Sequence, residues 1–362
     1  MNHEALTAFN NITNCISSPH IKASVDTMLH NFLKANGNPR PQQSIAKSPS
    51  AISRMLNEYA LPGLALIRES RALIKQKVWL YFSNSKKRRP RLEFIIDMTT
   101  LEKTGVFKEL PLSFFNEKYG LHLVVLYVVI GNQRFIWAFR IWEGKDSRTW
   151  VEHALSMLRC TPIWFKDRFK CRVLADTGFG TTEFIEGCTK LELPLVVGMR
   201  VDRKTEQGLS LDQLRAQGGV QFLKGCGVPI YVAWYKLKQK HGAFEWRYVV
   251  SNVAASAKTI VGWGKRRWRI EAFFKTMKSR FGLDQFGQRT KLGVLRFLLI
   301  AFMAYLLAFW TGFPLESFEI PDWIVLAAQA QLLLVTWVVE FELERKQAKV
   351  AEVLKFKKSL IA

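Results

Sequence analysis

The sequence predicts an α/β protein: a mixed sheet with helices, interrupted by a β-rich insertion and flanked by helical N- and C-terminal regions. Three observations carry this. Between residues 92 and 201, apolar β-rich runs come first as a group of three and then alternate with helical stretches, the order of a meander continued by alternating β and α units. Residues 203–246 break that rhythm with Gly208, Gly218, Gly219, Gly225 and Gly227, then alternating strands. Both ends of the chain read as helix. With 362 residues and 49% apolar residues, the chain is long enough for two or three domains and a sizeable core.

Taken in order, residues 1–84 are helical. Within them, 44–59 resembles a helix-turn-helix: Ser48 suits an N-cap and Pro49 the first helical position. Ser50, Ser53, Arg54 and Asn57 then share a polar face suited to DNA, the alternative being an ordinary amphipathic helix. The basic run 86–91 is an exposed connector leading into the first strand, 92–98. Residues 121–130 are almost continuously apolar, as expected of a strand covered on both faces. Gly131-Asn132 turns the chain into a strand over 133–142. Ser147 is expected to cap a helix running to about Cys160, followed by strand 171–175, helix 182–190 and strand 193–201. After the insertion, with a strand over 228–236, come strand 246–251 and one long helix over 259–281. Residues 297–313 are apolar but only 17 long, at the short end for a membrane span. With a second apolar stretch at 323–339, broken by Gln329 and Gln331, they read as buried helices rather than membrane spans. A basic tail over 345–358 closes the chain.

Lysine and arginine total 53 against 30 acidic residues, a net charge of +23. That excess calls for a polyanionic partner, with nucleic acid first and anionic membrane second. The five cysteines form no C-x-x-C pair; neither a zinc site nor a disulfide framework is indicated, and a reducing cytoplasm fits. Residues 1–14 are polar, with no secretory apolar region.

Three carboxylates are the candidates for chemistry. Asp97 and Asp176 each follow an apolar strand run and are read as strand ends. A carboxylate there is costly to bury unless paired or metal-bound, and two on neighbouring strand ends suit Mg²⁺ or Mn²⁺. Each alone is more readily a strand-capping or turn aspartate. Glu271 lies on the predicted 259–281 helix. At about 100° per residue, Ile270, Phe273, Phe274, Met277 and Phe281 share one face, with Arg267, Glu271 and Lys278 about a quarter turn away. The glutamate therefore sits at the edge of the buried face, on a helix dense in Lys and Arg. The plainer alternative is an i,i+4 ion pair with Lys275.

Arg267, Glu271 and Lys278, with Asp97 and Asp176, resemble the insertion-sequence DDE transposases that carry a β-strand insertion, the IS-four-like superfamily with the signature Y-(2)-R-(3)-E-(6)-K. The likeness covers most of residues 90–310, and the insertion falls between the second aspartate and the glutamate. The signature tyrosine would fall at Gly264. The resemblance implies a ribonuclease H-like core over 85–202 and 247–285, broken by an insertion subdomain at 203–246, with a DNA-binding helical region at 1–84 and a helical region at 286–362. It further implies that Asp97, Asp176 and Glu271 bind two Mg²⁺ or Mn²⁺ ions. Arg267 and Lys278, with Lys275 and Arg54, would contact DNA. The implied partners are double-stranded DNA, as terminal inverted repeats and target, and a second copy in a synaptic dimer, with no membrane. A prokaryotic, nucleoid-associated cytoplasmic setting follows. The alternative is an inactive or repurposed DNA-binding relative.

Overall fold

A computed structural model describes residues 10–34, 36–44, 46–84, 89–238 and 242–312. Residues 86–88 of the basic run, the apolar stretch 323–339 and the basic tail lie outside the described residues. The chain divides into two compact units, Ile74–Lys275 and a second formed by Met1–Leu73 with Thr276–Ala362.

The described helices are α1 (Pro19–Leu33), α2 (Pro49–Asn57), α3 (Gly63–Ser83), α4 (Trp150–Arg159), α5 (Ile163–Arg168), α6 (Thr182–Lys190), α7 (Ala257–Arg266), α8 (Arg269–Ser279) and α9 (Lys291–Gly312). The strands are β1 (Arg91–Glu102), β2 (Ser113–Phe115), β3 (Lys118–Ile130), β4 (Gln133–Trp142), β5 (Lys170–Ala175), β6 (Leu195–Met199), β7 (Val220–Phe222), β8 (Pro229–Lys238) and β9 (Phe244–Ser251).

All nine strands join one mixed sheet in unit Ile74–Lys275. β1, β3 and β4 form the antiparallel meander, and β5 and β6 run parallel to β1 and to each other. This order, β4-β3-β1-β5-β6, is the ribonuclease H-like arrangement, and it matches the predicted succession. β3 is buried from Gly120 to Ile130, the burial its apolar run demands. Gly131, at φ +56°, opens the turn into β4. The inserted residues do not close on themselves: β9 pairs with β6, and β8 and β7 extend the same sheet beyond it. Those backbone groups would otherwise form an open edge.

Three local expectations need correction. The cap of α4 is Thr149, not Ser147; Thr149 and Glu152 complete a capping box, which is the T-x-x-E pattern present in the sequence. The single helix expected over 259–281 is two, α7 and α8, joined by a tight turn at Arg267 and Trp268 with i→i+3 bonds. Asp97 does not end its strand. β1 continues to Glu102 because its antiparallel pairing with β3 continues, whereas its parallel ladder with β5 stops at Ile96 opposite Ala175.

In the second unit, α9 packs on α1 and α2. Phe32 and Phe297 meet edge to face at 4.9 Å. Buried Arg296 donates to the Met55 and Leu56 carbonyls at 3.0 and 3.1 Å, closing the C-terminal end of α2 with a cation. Lys291–Phe309 is apolar enough and long enough to cross a membrane, with a mean hydropathy of 2.3, and 83% of it is buried. The described part of 44–59 holds one helix, α2, capped by the Ser48 hydroxyl with Pro49 at its start. Ser50, Ser53 and Arg54 are exposed, whereas Asn57 turns inward and accepts from Thr290 Oγ1 at 2.7 Å.

Candidate active site

β1 and β5 carry the two aspartates into register. The last parallel pair is Ile96 with Ala175, so Asp97 and Asp176 come next on adjacent strands, where β5 leaves the sheet. After Asp176 the chain makes a short 3₁₀ turn, Thr177–Phe179. That turn is fitted closely to β6: a Cβ on Gly198 would lie 2.5 Å from Thr177 Oγ1 and 2.8 Å from its backbone nitrogen. Trp150, opening α4, donates its indole N–H to the Gly178 carbonyl at 3.0 Å and holds the turn from the other side. Neither contact was predicted, although the glycine-rich sequence after Asp176 signals a turn.

The third carboxylate comes from α8. All three face one cation. Arg267 approaches Asp97 Oδ2 at 3.1 Å, Asp176 Oδ1 at 3.4 Å and Glu271 Oε1 at 2.9 Å. Burial pushes the Asp97 carboxyl up to about 7, against the pull of Arg267 and with further upward pressure from Asp176 and Glu271. Its Oδ1 also accepts from Met98 N at 2.8 Å. Burial disfavours the charge on Arg267, but the three carboxylates outweigh it and raise its pKa above the ordinary value. Arg267 is thus the counter-ion of the cluster. Glu271 makes its i,i+4 ion pair with Arg267, not with Lys275 as the plainer alternative had it.

The donor set of three carboxylates from three elements, converging on one positive charge, fits a hard divalent ion in chemistry. Among the described residues no group of three or more His, Cys, Asp or Glu side chains stands close enough to share a metal; the space between these three holds the guanidinium. Beside it lies a cleft of about 220 Å³ lined by Asp176, Gly264, Arg267, Glu271, Tyr235 and Trp268, among others. Gly264, at the tyrosine position, lets α7 approach β9: a Cβ there would meet Val249 Cγ1 at 3.1 Å. Trp263, beside it, is half-buried under the Arg172 guanidinium, 3.2 Å from its ring centre.

Lys275 is exposed one turn beyond Glu271, and Lys278 is half-buried a further turn along α8. Arg54 lies on α2 in the other unit, donating to Tyr59 Oη at 3.0 Å.

Residues 89–307 match the model of the transposase DDE domain, well over half of the chain. The chain belongs to the transposase DDE domain family. The matched span of this DDE-domain protein contains all three carboxylates and both helices of the α7–α8 joint. No curated protein matches it in sequence. A solved structure similar to it is the cryo-EM structure of a piggyBac transposase synaptic complex with hairpin DNA: 12% identity, covering 95% of this chain and 80% of that one, at a TM-score of 0.46.

Proposed function

We propose that the protein is a DNA transposase that cleaves transposon ends and joins them to target DNA. The observation that supports this reading best is the convergence of Asp97, Asp176 and Glu271 on one cation in a chain of the DDE family. The three carboxylates would hold two divalent ions, Mg²⁺ or Mn²⁺. Bound there, such ions lower the pKa of an attacking water or DNA 3′-hydroxyl and stabilise the leaving oxygen of an in-line displacement. The chain's own residues do the rest. Asp97 is held by the sheet, Asp176 by its fitted turn and Glu271 by α8. Arg267 turns from the carboxylates to a DNA phosphate, with Lys278 and Lys275 along the same helix and Arg54 on α2 as further phosphate contacts. The R-E-K spacing supports placing the protein with the β-insertion transposases of the IS-four-like group. The matching scheme has double-stranded terminal repeats and target DNA as partners, a homodimer in the synaptic complex, no membrane, and a cytoplasmic, nucleoid-associated location.

Asp97→Ala, Asp176→Ala and Glu271→Ala should each abolish Mg²⁺-dependent cleavage of the element's ends, with end binding within about threefold of wild type. A single variant that cleaves normally would sink the assignment. Gly264 favours one second reading, a repurposed DNA-binding relative without catalysis. A strand-transfer assay with and without divalent metal separates the two.

A further inference from the structure

Glu93 lies on β1 four residues before Asp97, on the same sheet face because side chains alternate along a strand. It is 4% exposed, a burial that a lone carboxylate does not tolerate. Its partners come from the two sides of the α7–α8 joint: Arg266 Nε lies 2.6 Å from Oε1 and Arg269 Nη1 3.0 Å from Oε2. Those arginines bracket Arg267 in sequence. Directly across the parallel ladder stands Arg172, whose guanidinium covers Trp263 of α7. Arg91 is the other charged group that acts on this cluster. One strand therefore grips the same joint twice, Asp97 taking Arg267 and Glu93 taking the residues on either side. The joint itself is held by few bonds of its own. Its turn uses i→i+3 contacts of 3.1 to 3.4 Å from Arg267 to Glu271, poorer than those of a regular helix.

We infer that Glu93 is a positioning residue: by clamping Arg266 and Arg269 it fixes the α7–α8 joint that presents Arg267 and Glu271 to the two aspartates. This rests on the transposase reading for its activity arm alone. Groups that orient ligating side chains commonly matter about 10- to 100-fold.

The test uses the full chain with Glu93→Gln, which keeps the shape and removes the charge, and Arg269→Gln, which removes one arm and keeps the variant set usable if Glu93→Gln does not fold. Hydrogen exchange should show the amides of residues 264–272 losing about tenfold or more protection, while β1 and β3 keep theirs and melting stays cooperative. Single-turnover cleavage at saturating DNA and Mn²⁺ should slow by about tenfold or more in Glu93→Gln, with DNA affinity within twofold. Arg269→Gln should show the same changes at several-fold size. Unchanged protection of 264–272, or lost protection with a cleavage rate within twofold of wild type, would overturn the inference. The second outcome would make Glu93 a stabilising residue only. If the wild-type protein itself cleaves no ends, the transposase reading fails, and the exchange result still decides whether Glu93 fixes the joint.

Discussion

Arg267 resolves a conflict that the carboxylate cluster would otherwise pose. Two aspartates and a glutamate facing one another repel, and burial of Asp97 adds to the cost; a guanidinium within 3.4 Å of all three relieves it. The same cation competes with any divalent ion for those oxygens. Arg267→Gln should therefore bind Mn²⁺ several-fold more tightly in the absence of DNA, read by titration with paramagnetic resonance, while end cleavage falls because the phosphate loses its partner. Equal or weaker Mn²⁺ affinity would remove Arg267 as the competitor. A second residue-scale effect concerns Asp26 of α1, 4% exposed, whose carboxyl burial pushes up to about 8, with Lys22 pulling it partly back. Between its unfolded value near 4 and its folded value, the native state holds a proton that the unfolded chain has released. Its contribution is full below the unfolded pKa and is lost as pH rises towards 8. Asp26→Asn should therefore lose less melting temperature than wild type between pH 5 and pH 8 and melt higher at pH 8. Parallel melting curves across that range would show that Asp26 carries no such proton.

At the scale of elements, the site is assembled by three short fits: the end of the β1–β5 ladder, the turn after Asp176 and the α7–α8 joint. The turn depends on Gly198. Gly198→Ala forces a methyl against the Thr177 backbone nitrogen, so we expect a stability loss of about 1–3 kcal/mol together with a drop in cleavage rate larger than that of a core Val→Ala change of equal stability cost. A cleavage rate that merely tracks stability would count against the turn's role. Sequence made much of this legible. The strand-helix succession, the Gly131-Asn132 turn, the Ser48 cap and the apolar face of α8, with Ile270, Phe273 and Phe274 all buried, follow from local period and turn chemistry. What escaped depends on distant partners. β1 runs past Asp97 because β3 lies beside it, and the inserted strands join the main sheet because β9 offers them an edge. The helix breaks at Arg267 where Glu93, far earlier in the chain, draws in the arginines on either side. Glu93 did leave a trace, a charged residue inside the apolar run 92–96 at the same parity as Asp97.

For the whole molecule, the net charge of +23 is the quantity that the three carboxylates do not explain. On the proposed reading the three carboxylates put acid at the centre of the site, so the cationic excess serves something outside it. The apolar helix Lys291–Phe309 is mostly buried, and on the proposed transposase reading the excess answers to the DNA backbone. Binding driven by phosphate neutralisation releases counterions, so affinity falls linearly with salt on logarithmic axes. With about six to ten phosphates contacted, the slope should be about −5 to −9, and affinity for the element's ends should drop by about 10³- to 10⁵-fold between 50 and 200 mM salt. Asp176→Asn protein without divalent metal is the form to measure, since it separates binding from cutting. In that background, neutralising Lys275 or Lys278 should each lower the slope by about one, the loss expected of one phosphate contact on the proposed DNA path. A slope near zero would mean that the charge does not engage a DNA backbone. A steep slope indifferent to both lysines would move the DNA path away from α8.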